Sequence, residues 1–404
     1  MADLNVQRRD FIRLGVKGLA AFAGGSLLSS SAIVLPSGRL QAQTRSSRPP
    51  FAGLHNLGPL LPPDENGIML PAGYRSRIVA VSGQRPLVDG EYTWHQRPDG
   101  GATYATSDGG WIYVSNSEVP QGRGGVGALR FNSRGELVDA YSILEGTSDN
   151  CAGGTTPWNT WLSCEETDRG LVYECDPFGG RHAQVRPALG AFKHEAVAID
   201  SLNGHLYLTE DEPDGCLYRF RPEGELPDLS SGVLEVAAVQ VREGRSYVSW
   251  HAVPDAQAVS VTTRRQVPVA TPFNGGEGIA YSGSRIYFTT KGDNRVWAYD
   301  VQTTELTVLY DINTSANPIL KGVDNVVITP AGDVIVAEDG GDNQLVALTP
   351  EGGVVALLQL VGQDDSELCG PAFDPAYTRL YFSSQTGFSE NGPGITYEIV
   401  GPFA

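Results

Sequence analysis

The stretch "EAVAIDSLNGHLYLTEDEPDGCLYRFRPE", residues 195–223, decides the fold because the chain repeats its pattern. The segments "EGIAYSGSRIYFTTKGDNRVWAYDVQ" (277–302) and "DNVVITPAGDVIVAEDGGDNQLVALTPEG" (324–352) have the same order of parts. Each begins with an acidic residue and a short apolar strand, followed by a glycine-containing turn, a second strand, a polar loop and a third strand. Apolar and polar residues alternate in "HLYLTE" and "RIYFTT", which is typical of half-buried β-strands.

Further segments extend the pattern to six units. They begin at Ala102, Cys151 and Cys369, and "GITYEIVGP" completes the last unit. Three to four antiparallel strands in each unit predict an all-β, six-bladed β-propeller with a central metal site, spanning residues 101–404. We expect residues 43–100 to form an N-terminal cap or extra strand that leads into the first blade.

Composition agrees with this fold class. The 404 residues include 49 glycines and 26 prolines, and only 19% are charged, which favours many short strands joined by turns. The net charge of −18 argues against nucleic acid as a specific partner, because phosphate backbones are bound by stripes of lysine and arginine. The acidity fits either a soluble surface or carboxylates that hold cations.

The N-terminal segment has the pattern of an export signal. "QRRDFIR" at residues 7–13 resembles a twin-arginine motif, and an apolar run follows it. Gly24 and Gly25 interrupt that run, so it predicts no stable membrane anchor. We therefore expect residues 1–42 to be a twin-arginine signal peptide, the export machinery to be a partner, and the protein to be periplasmic or secreted. Twin-arginine cargo is exported folded and often carries a metal or cofactor.

Alignment of the units places acids and thiols at recurring positions. The first strand of a propeller blade lines the central channel, so a residue that opens this strand points towards the axis. At the end of the second strand a further ring of oxygen ligands is predicted. The residues that open the first strand are Cys151, Glu195, Glu277, Asp324 and Cys369. The residues at the end of the second strand are Asn116, Glu165, Glu210, Thr290, Glu338 and Ser384, followed by Glu166, Asp211 and Asp339, with Glu118 close by.

Converging carboxylates repel one another unless cations neutralise them. Clusters of Asp, Glu and Asn oxygens suit calcium, whereas a thiolate such as that of Cys151 suits iron or zinc. The mixture indicates two kinds of metal side by side. The other interpretation is that these residues are ordinary polar groups at turns and strand ends.

Several further residues are open to two interpretations. Lys193, Lys291 and Arg295 lie nearest the predicted mouth of the channel, where they either contact an anionic substrate or balance the acids. His194 is a ligand, a general acid or a packed side chain. Glu367, two residues before Cys369, is an alternative ligand in the last blade.

Five motifs, in order, resemble the PhoX-type alkaline phosphatase family. The resemblance runs from about Tyr113 to Gln385, and the motifs are "NCAGGTTPWNTWLSCEET", "KHEA", "LYLTEDE", "VDNVVITPAGDVIVAEDG" and "ELCGPAFDP…LYFSSQTG". The resemblance implies a secreted, metal-dependent phosphomonoesterase that carries iron and calcium in the channel of a propeller. It further implies that Cys151, one glutamate of the Glu165/Glu166 pair and Glu195 hold iron. The remaining implied ligands, shared between iron and calcium, are Glu210, Asp211, Glu277, Asp324, Asn325, Glu338 and Asp339.

Two other functions are compatible with the sequence. A calcium-dependent propeller hydrolase of lactones or phosphotriesters would need no thiolate. A calcium-stabilised propeller that only binds a partner would turn over no ester. The thiol of Cys151 favours the phosphatase, and a closed ring of blades predicts a monomer.

Overall fold

A computed structural model describes residues 53–403, and the predicted signal peptide at 1–42 therefore lies outside the described residues. This part of the chain is all-β apart from three 3₁₀ turns, η1 (Pro187–Leu189), η2 (Thr263–Arg265) and η3 (Lys291–Asp293). Within residues 53–403, we find no helix with the length and apolar character that a membrane span requires. The strands are β1 (Ile68–Met69), β2 (Arg75–Val81), β3 (Pro98–Ala105), β4 (Trp111–Ser117), β5 (Gly124–Phe131), β6 (Leu137–Thr147), β7 (Asn150–Thr155), β8 (Trp161–Glu165), β9 (Val172–Cys175), β10 (Gln184–Val185), β11 (His194–Asp200), β12 (His205–Glu210), β13 (Tyr218–Pro222), β14 (Gly232–Arg242), β15 (Arg245–Ala252), β16 (Gly276–Ser282), β17 (Arg285–Thr290), β18 (Arg295–Asp300), β19 (Glu305–Asp311), β20 (Val323–Ile328), β21 (Val334–Glu338), β22 (Gln344–Leu348), β23 (Val354–Leu360), β24 (Leu368–Phe373), β25 (Arg379–Ser384) and β26 (Ile395–Val400).

The strands form five antiparallel sheets, and the fold is propeller-like, as the repeats predict. Four sheets have the form of separate blades: β3-β4-β5-β6, β10-β9-β8-β7, β1-β23-β22-β21-β20 and β2-β26-β25-β24. The fifth has nine strands in the order β11-β12-β13-β14-β15-β19-β18-β17-β16. Apolar side chains of neighbouring sheets pack into the core, for example around Phe220, Phe288 and Tyr381, which are all fully buried.

The prediction of six blades is corrected by this topology, because the third and fourth repeats do not form separate sheets. Strand β15 is an extra strand that follows β14, and it pairs with β19 through Ser246–Leu306 and Tyr247–Glu305. These two residue pairs join both repeats into the nine-stranded sheet. The alternating pattern of the sequence predicts strands but contains no signal for which outer strands pair.

The first strands of the six repeats nevertheless follow one another in a closed order. Strand β3 contacts β7, β7 contacts β11, β11 contacts β16, β16 contacts β20, β20 contacts β24, and β24 contacts β3. Early residues also pair with strands from much later in the chain, because β1 pairs with β23 and β2 pairs with β26. The part of the predicted N-terminal cap that the structure describes therefore supplies outer strands to the last two sheets.

Each first strand contains the same irregularity. The pairing register between the first and second strand shifts by one residue in all six repeats, for example between His194 and Val197. Such a bulge re-aims the side chains within it. We call the first bulged residue the axial position; it is Asp99, Cys151, Glu195, Glu277, Asp324 and Gly370 in the six repeats.

In four of the six repeats a small residue follows the axial position, namely Gly100, Ala152, Ala196 and Gly278, and lets the first strands approach. A Cβ atom at Gly100 would lie 2.5 Å from the Cα atom of Ala152, and one at Gly278 would lie 2.6 Å from the Cα atom of Asn325. Both distances are shorter than packed carbon atoms allow, so glycine is required at these positions.

Candidate metal centre

The channel ends in two cavities of opposite character. One cavity, of about 340 Å³, is lined by backbone and by small or apolar side chains such as Ala102, Ala196 and Val326. The other, of about 470 Å³, is lined by nine carboxylate residues and two basic ones, Arg97 and Lys291. Carboxylate side chains that could bind a cation therefore line the second cavity and not the first.

Three groups of candidate ligands lie at the acidic cavity. Within each group, one ligand atom from every residue lies within 4.8 Å of the others. The three groups draw on all five axial residues that carry a ligand atom, together with acids from neighbouring loops. The groups are Glu118, Cys151 and Glu166; Asp99, Glu118 and Glu367; and Glu195, Glu277 and Asp324.

Among these residues Glu195 most clearly lacks a partner, because neither of its carboxylate oxygens accepts a hydrogen bond from any described residue. Its side chain is fully buried. Burial and the neighbouring carboxylate of Glu277 raise the pKa of Glu195 well above its usual value. A buried, unpartnered carboxylate is unfavourable unless a cation lies beside it.

The thiol of Cys151 lies in the same acidic surroundings. The residue is 8% exposed and lines the acidic cavity. Burial, followed by the carboxylates of Asp99 and Glu195, raises the pKa of this thiol well above its usual value. The thiolate would therefore form only in the presence of a cation, as expected of a metal ligand. The four other cysteines are also free and buried.

The carboxylates of Asp99 and Glu118 are joined by one amide. Gln385 Nε2 donates to Asp99 Oδ2 and to Glu118 Oε2, at 2.7 Å in both cases. Arg97 in turn donates to Gln385 Oε1 at 3.3 Å. Gln385 thus holds residues of the first repeat close to Glu367, which precedes the first strand of the last repeat.

Three predicted ligands serve the backbone and belong to none of the three groups. Glu165, Glu210 and Glu338 each end a second strand, and each carboxylate accepts the amide N–H of the residue six positions later. Glu165 also accepts the N–H of Ser148, and Glu338 that of Lys321. Glu210 is further occupied by Arg264 and Tyr218. This recurring arrangement fixes the loop between the second and third strands.

Replacing Glu338 with glutamine is expected to lower stability and leave metal content unchanged. The substitution weakens two buried hydrogen bonds to backbone amides, at a cost of about 1–3 kcal/mol in the free energy of unfolding. Denaturant unfolding and elemental analysis would measure both quantities. Asp342→Asn, an exposed change in the same loop, is the matched control. Loss of metal from folded Glu338→Gln protein would contradict the backbone role.

The residue directly after each second strand lies next to the strand-end position, and in five of the six repeats it lines the acidic cavity. We call it the outer position; it is Glu118, Glu166, Asp211, Lys291, Asp339 and Gln385 in the six repeats, and Asp211 is the one that does not line the cavity. Lysines form ion pairs with three of the acids at the outer position. Lys193 lies 2.8 Å from Glu166 and 3.2 Å from Asp211, and Lys291 lies 3.0 Å from Asp339.

Other predicted candidates have positioning or packing roles. Asn325 donates to Asp324 Oδ1 at 2.9 Å and accepts the N–H of Gly370 at 2.7 Å, so it orients Asp324. The His194 ring packs on Phe192 and its Nε2 lies 3.1 Å from the carbonyl of Gly190. Arg295 pairs with Asp293 and Asp311 rather than with the acids of the cavity.

Sequence reasoning missed Asp99 and Gln385 and gave Glu118 and Glu367 only a minor place. The sequence pattern places the start of the first repeat at Ala102, beyond its axial residue Asp99. The pair Asp99-Gly100 is the same acid–small pair as Glu277-Gly278, and this was the available signal. In the last repeat the axial residue is Gly370 rather than Cys369, whose thiol donates to the carbonyl of Pro98 at 2.9 Å.

The fold and the site together define a class of protein: a propeller-like β-protein with buried carboxylates and a thiol at one end of its channel. The chain belongs to the alkaline phosphatase PhoX family, whose sequence profile matches residues 124–173 and 167–387. It is thus a member of a family of metal-dependent phosphatases. A comparison with curated protein sequences gave no match.

Solved structures confirm the fold at low sequence identity. Pseudomonas fluorescens PhoX, solved in complex with vanadate, a transition-state analogue, is 17% identical, with a TM-score of 0.71 over 86% of this chain and 97% of that chain. A gluconolactonase from Xanthomonas campestris, XC5397, is 14% identical, with a TM-score of 0.52 over 87% of this chain and 100% of that chain. Both likenesses concern the fold alone.

Proposed function

We propose that this protein is an exported phosphomonoesterase that holds calcium and iron at the acidic cavity. The observation that carries the proposal is the Glu195 carboxylate, which is buried, without a partner among residues 53–403, and grouped with Glu277 and Asp324. Family membership supports the activity, and the donor set supports the metals. The proposal includes a monomer that the twin-arginine route exports to the periplasm or beyond.

The residues present fit two kinds of cation. Glu195, Glu277 and Asp324 offer only carboxylate oxygens, as do Asp99, Glu118 and Glu367, and such groups suit calcium. Cys151 adds a soft sulfur ligand beside Glu118 and Glu166, which suits iron. When bound, these cations would neutralise charge on phosphoryl oxygens and lower the pKa of a water molecule.

The chain itself contributes binding, orientation and charge balance. Gln385 and Asn325 orient the carboxylates of Asp99, Glu118 and Asp324. Arg97 lines the acidic cavity, where its guanidinium favours an anion such as a phosphate ester. In this proposal the phosphoryl group of the ester binds in the acidic cavity, beside Arg97.

Hydrolysis of an aryl phosphate monoester at alkaline pH tests the proposal. We expect activity that disappears when calcium is chelated and returns when calcium is added, because carboxylates that lose their cation repel one another. The protein is to be shown folded by circular dichroism in every condition. A lactone and an aryl phosphotriester are assayed in parallel.

Absence of monoester hydrolysis from folded, metal-loaded protein would contradict the proposal. Turnover of the lactone or the triester would then indicate another hydrolase on the same fold. Chelation that lowers the melting temperature without turnover of any ester would indicate a calcium-stabilised binding protein.

A further inference from the structure

Lys291 breaks the pattern of the outer position. Four of the other repeats have a carboxylate there, namely Glu118, Glu166, Asp211 and Asp339, whereas the fourth repeat has an ammonium group. The residue begins η3, immediately after β17, and its N–H donates to the carbonyl of Gly275 as Asp339 N–H donates to that of Gly322. Its backbone therefore holds the same place in the repeat, and only the charge is reversed.

The ammonium of Lys291 lies where two repeats meet. It is 2.9 Å from Glu277 Oε1, at the axial position of its own repeat, and 3.0 Å from Asp339 Oδ2, at the outer position of the next. The contact with Glu277 is an ion pair, and this Glu277 oxygen has no other partner in the described residues. The carboxylates of Glu277 and Asp324 raise the pKa of Lys291 far above its usual value.

We infer that the Lys291 ammonium takes the place of a bound cation between Glu277 and Asp339. A single positive charge that bridges two carboxylates does what a calcium ion does between the acids of neighbouring repeats. The inference rests on the proposed function, in which the remaining carboxylates of the cavity hold metal. By this inference, the chain binds one metal cation fewer than it would if the outer position of the fourth repeat were also a carboxylate.

The same lysine limits what the outer ring can bind. Asp339 is paired with Lys291 and Asp211 with Lys193, and neither carboxylate belongs to the three groups. Glu166 and Glu277, which the same lysines also contact, do belong to them. The metals of the centre are thereby confined to the three groups that contain the axial residues. Asp211 and Asp339, which the family resemblance implies as metal ligands, instead hold the lysines in place.

Three variants test this inference against the wild type. Lys291→Glu restores the residue type of the other repeats, and Lys291→Met removes the charge while keeping the length of the side chain. Lys321→Met is the matched control, because Lys321 is 49% exposed in its side chain and lies 4.0 Å from Asp342 on the neighbouring loop. Calcium per chain is measured by elemental analysis after equilibration with buffered calcium, and melting curves are recorded with and without chelator.

We expect Lys291→Glu to bind about one more calcium ion per chain than the wild type. In chelator, both Lys291 variants should melt about 5 °C below the wild type, because Glu277 and Asp339 lose their counter-charge. Added calcium should restore the melting temperature of Lys291→Glu. Lys321→Met should match the wild type in both measurements. Unchanged calcium content in Lys291→Glu, or unchanged melting of both variants in chelator, would overturn the inference.

The two proposals fail in different ways. Wild-type protein that binds neither calcium nor iron would contradict the proposed function. The melting curves in chelator would still decide the role of Lys291, because that comparison requires no bound metal.

Discussion

Replacing Glu195 with glutamine is expected to reduce monoester hydrolysis by roughly 10²–10³-fold, because the carboxylate helps to hold a cation that neutralises charge on the phosphoryl oxygens. Both oxygens of Glu195 are buried and without a partner in residues 53–403, so they are available to a cation. Glutamine keeps the size of the side chain and removes its charge. Steady-state kinetics and elemental analysis of the purified variant would measure the loss of activity and of metal.

Stability in chelator separates a ligand from a structural residue. Burial and nearby carboxylates raise the pKa of Glu195 in the folded protein, so the metal-free wild type loses stability as pH rises through that pKa. The glutamine variant has no such group. At alkaline pH with chelator, Glu195→Gln should therefore melt above the wild type, and the difference should shrink as pH falls. Glu195 would be structural if the variant melted lower than the wild type at every pH in chelator and if, as purified without chelator, it contained as much metal as the wild type.

Replacing Cys151 with serine is expected to remove iron and activity while calcium is largely retained. The hydroxyl of serine is a hard and weakly acidic ligand, so it does not replace a thiolate at iron. The three-carboxylate groups that suit calcium do not contain Cys151. We expect activity at least about 10²-fold below that of the wild type. The iron content of the same preparation should be close to zero.

Cys369→Ser is the matched control for the thiol. Cys369 is also buried, in the first strand of another repeat, but its thiol donates to the carbonyl of Pro98 and a serine hydroxyl can do the same. This variant should keep its iron. Wild-type iron content in Cys151→Ser would sink the assignment of the thiolate, and equal loss in both variants would indicate a general effect on folding.

The strands could be predicted from the sequence because their alternation is a local property. Residues 195–223, 277–302 and 324–352 read as three strands each, and the structure has them. The joining of the third and fourth repeats could not be predicted, since it depends on two residue pairs between β15 and β19 that lie far apart in the chain.

The site was partly predictable for a related reason. Glu195, Glu277 and Asp324 follow the repeat and meet in one group. In the last repeat the axial residue is a glycine, Gly370, so an alignment that follows acids and thiols selects its neighbour Cys369 instead.

Adjacent acids posed a second difficulty. Side chains of neighbouring residues point to opposite faces of a strand, so only one of Glu165 and Glu166 can face the cavity. The structure assigns Glu165 to backbone amides and Glu166 to the group with Cys151. The sequence alone contains no signal that distinguishes the two, because both are glutamate.

The pairing of β2 with β26 has a consequence for the order of events during synthesis. The ribosome makes β2 well before β26, so the sheet that contains both strands remains incomplete while the chain between them is made. The same holds for Asp99 and Glu367, which share one group although more than half of the chain separates them. Nascent chains that still lack residues 367–400 have only part of the candidate metal centre, so a cation that needs Glu367 is acquired only after that part of the chain has been made.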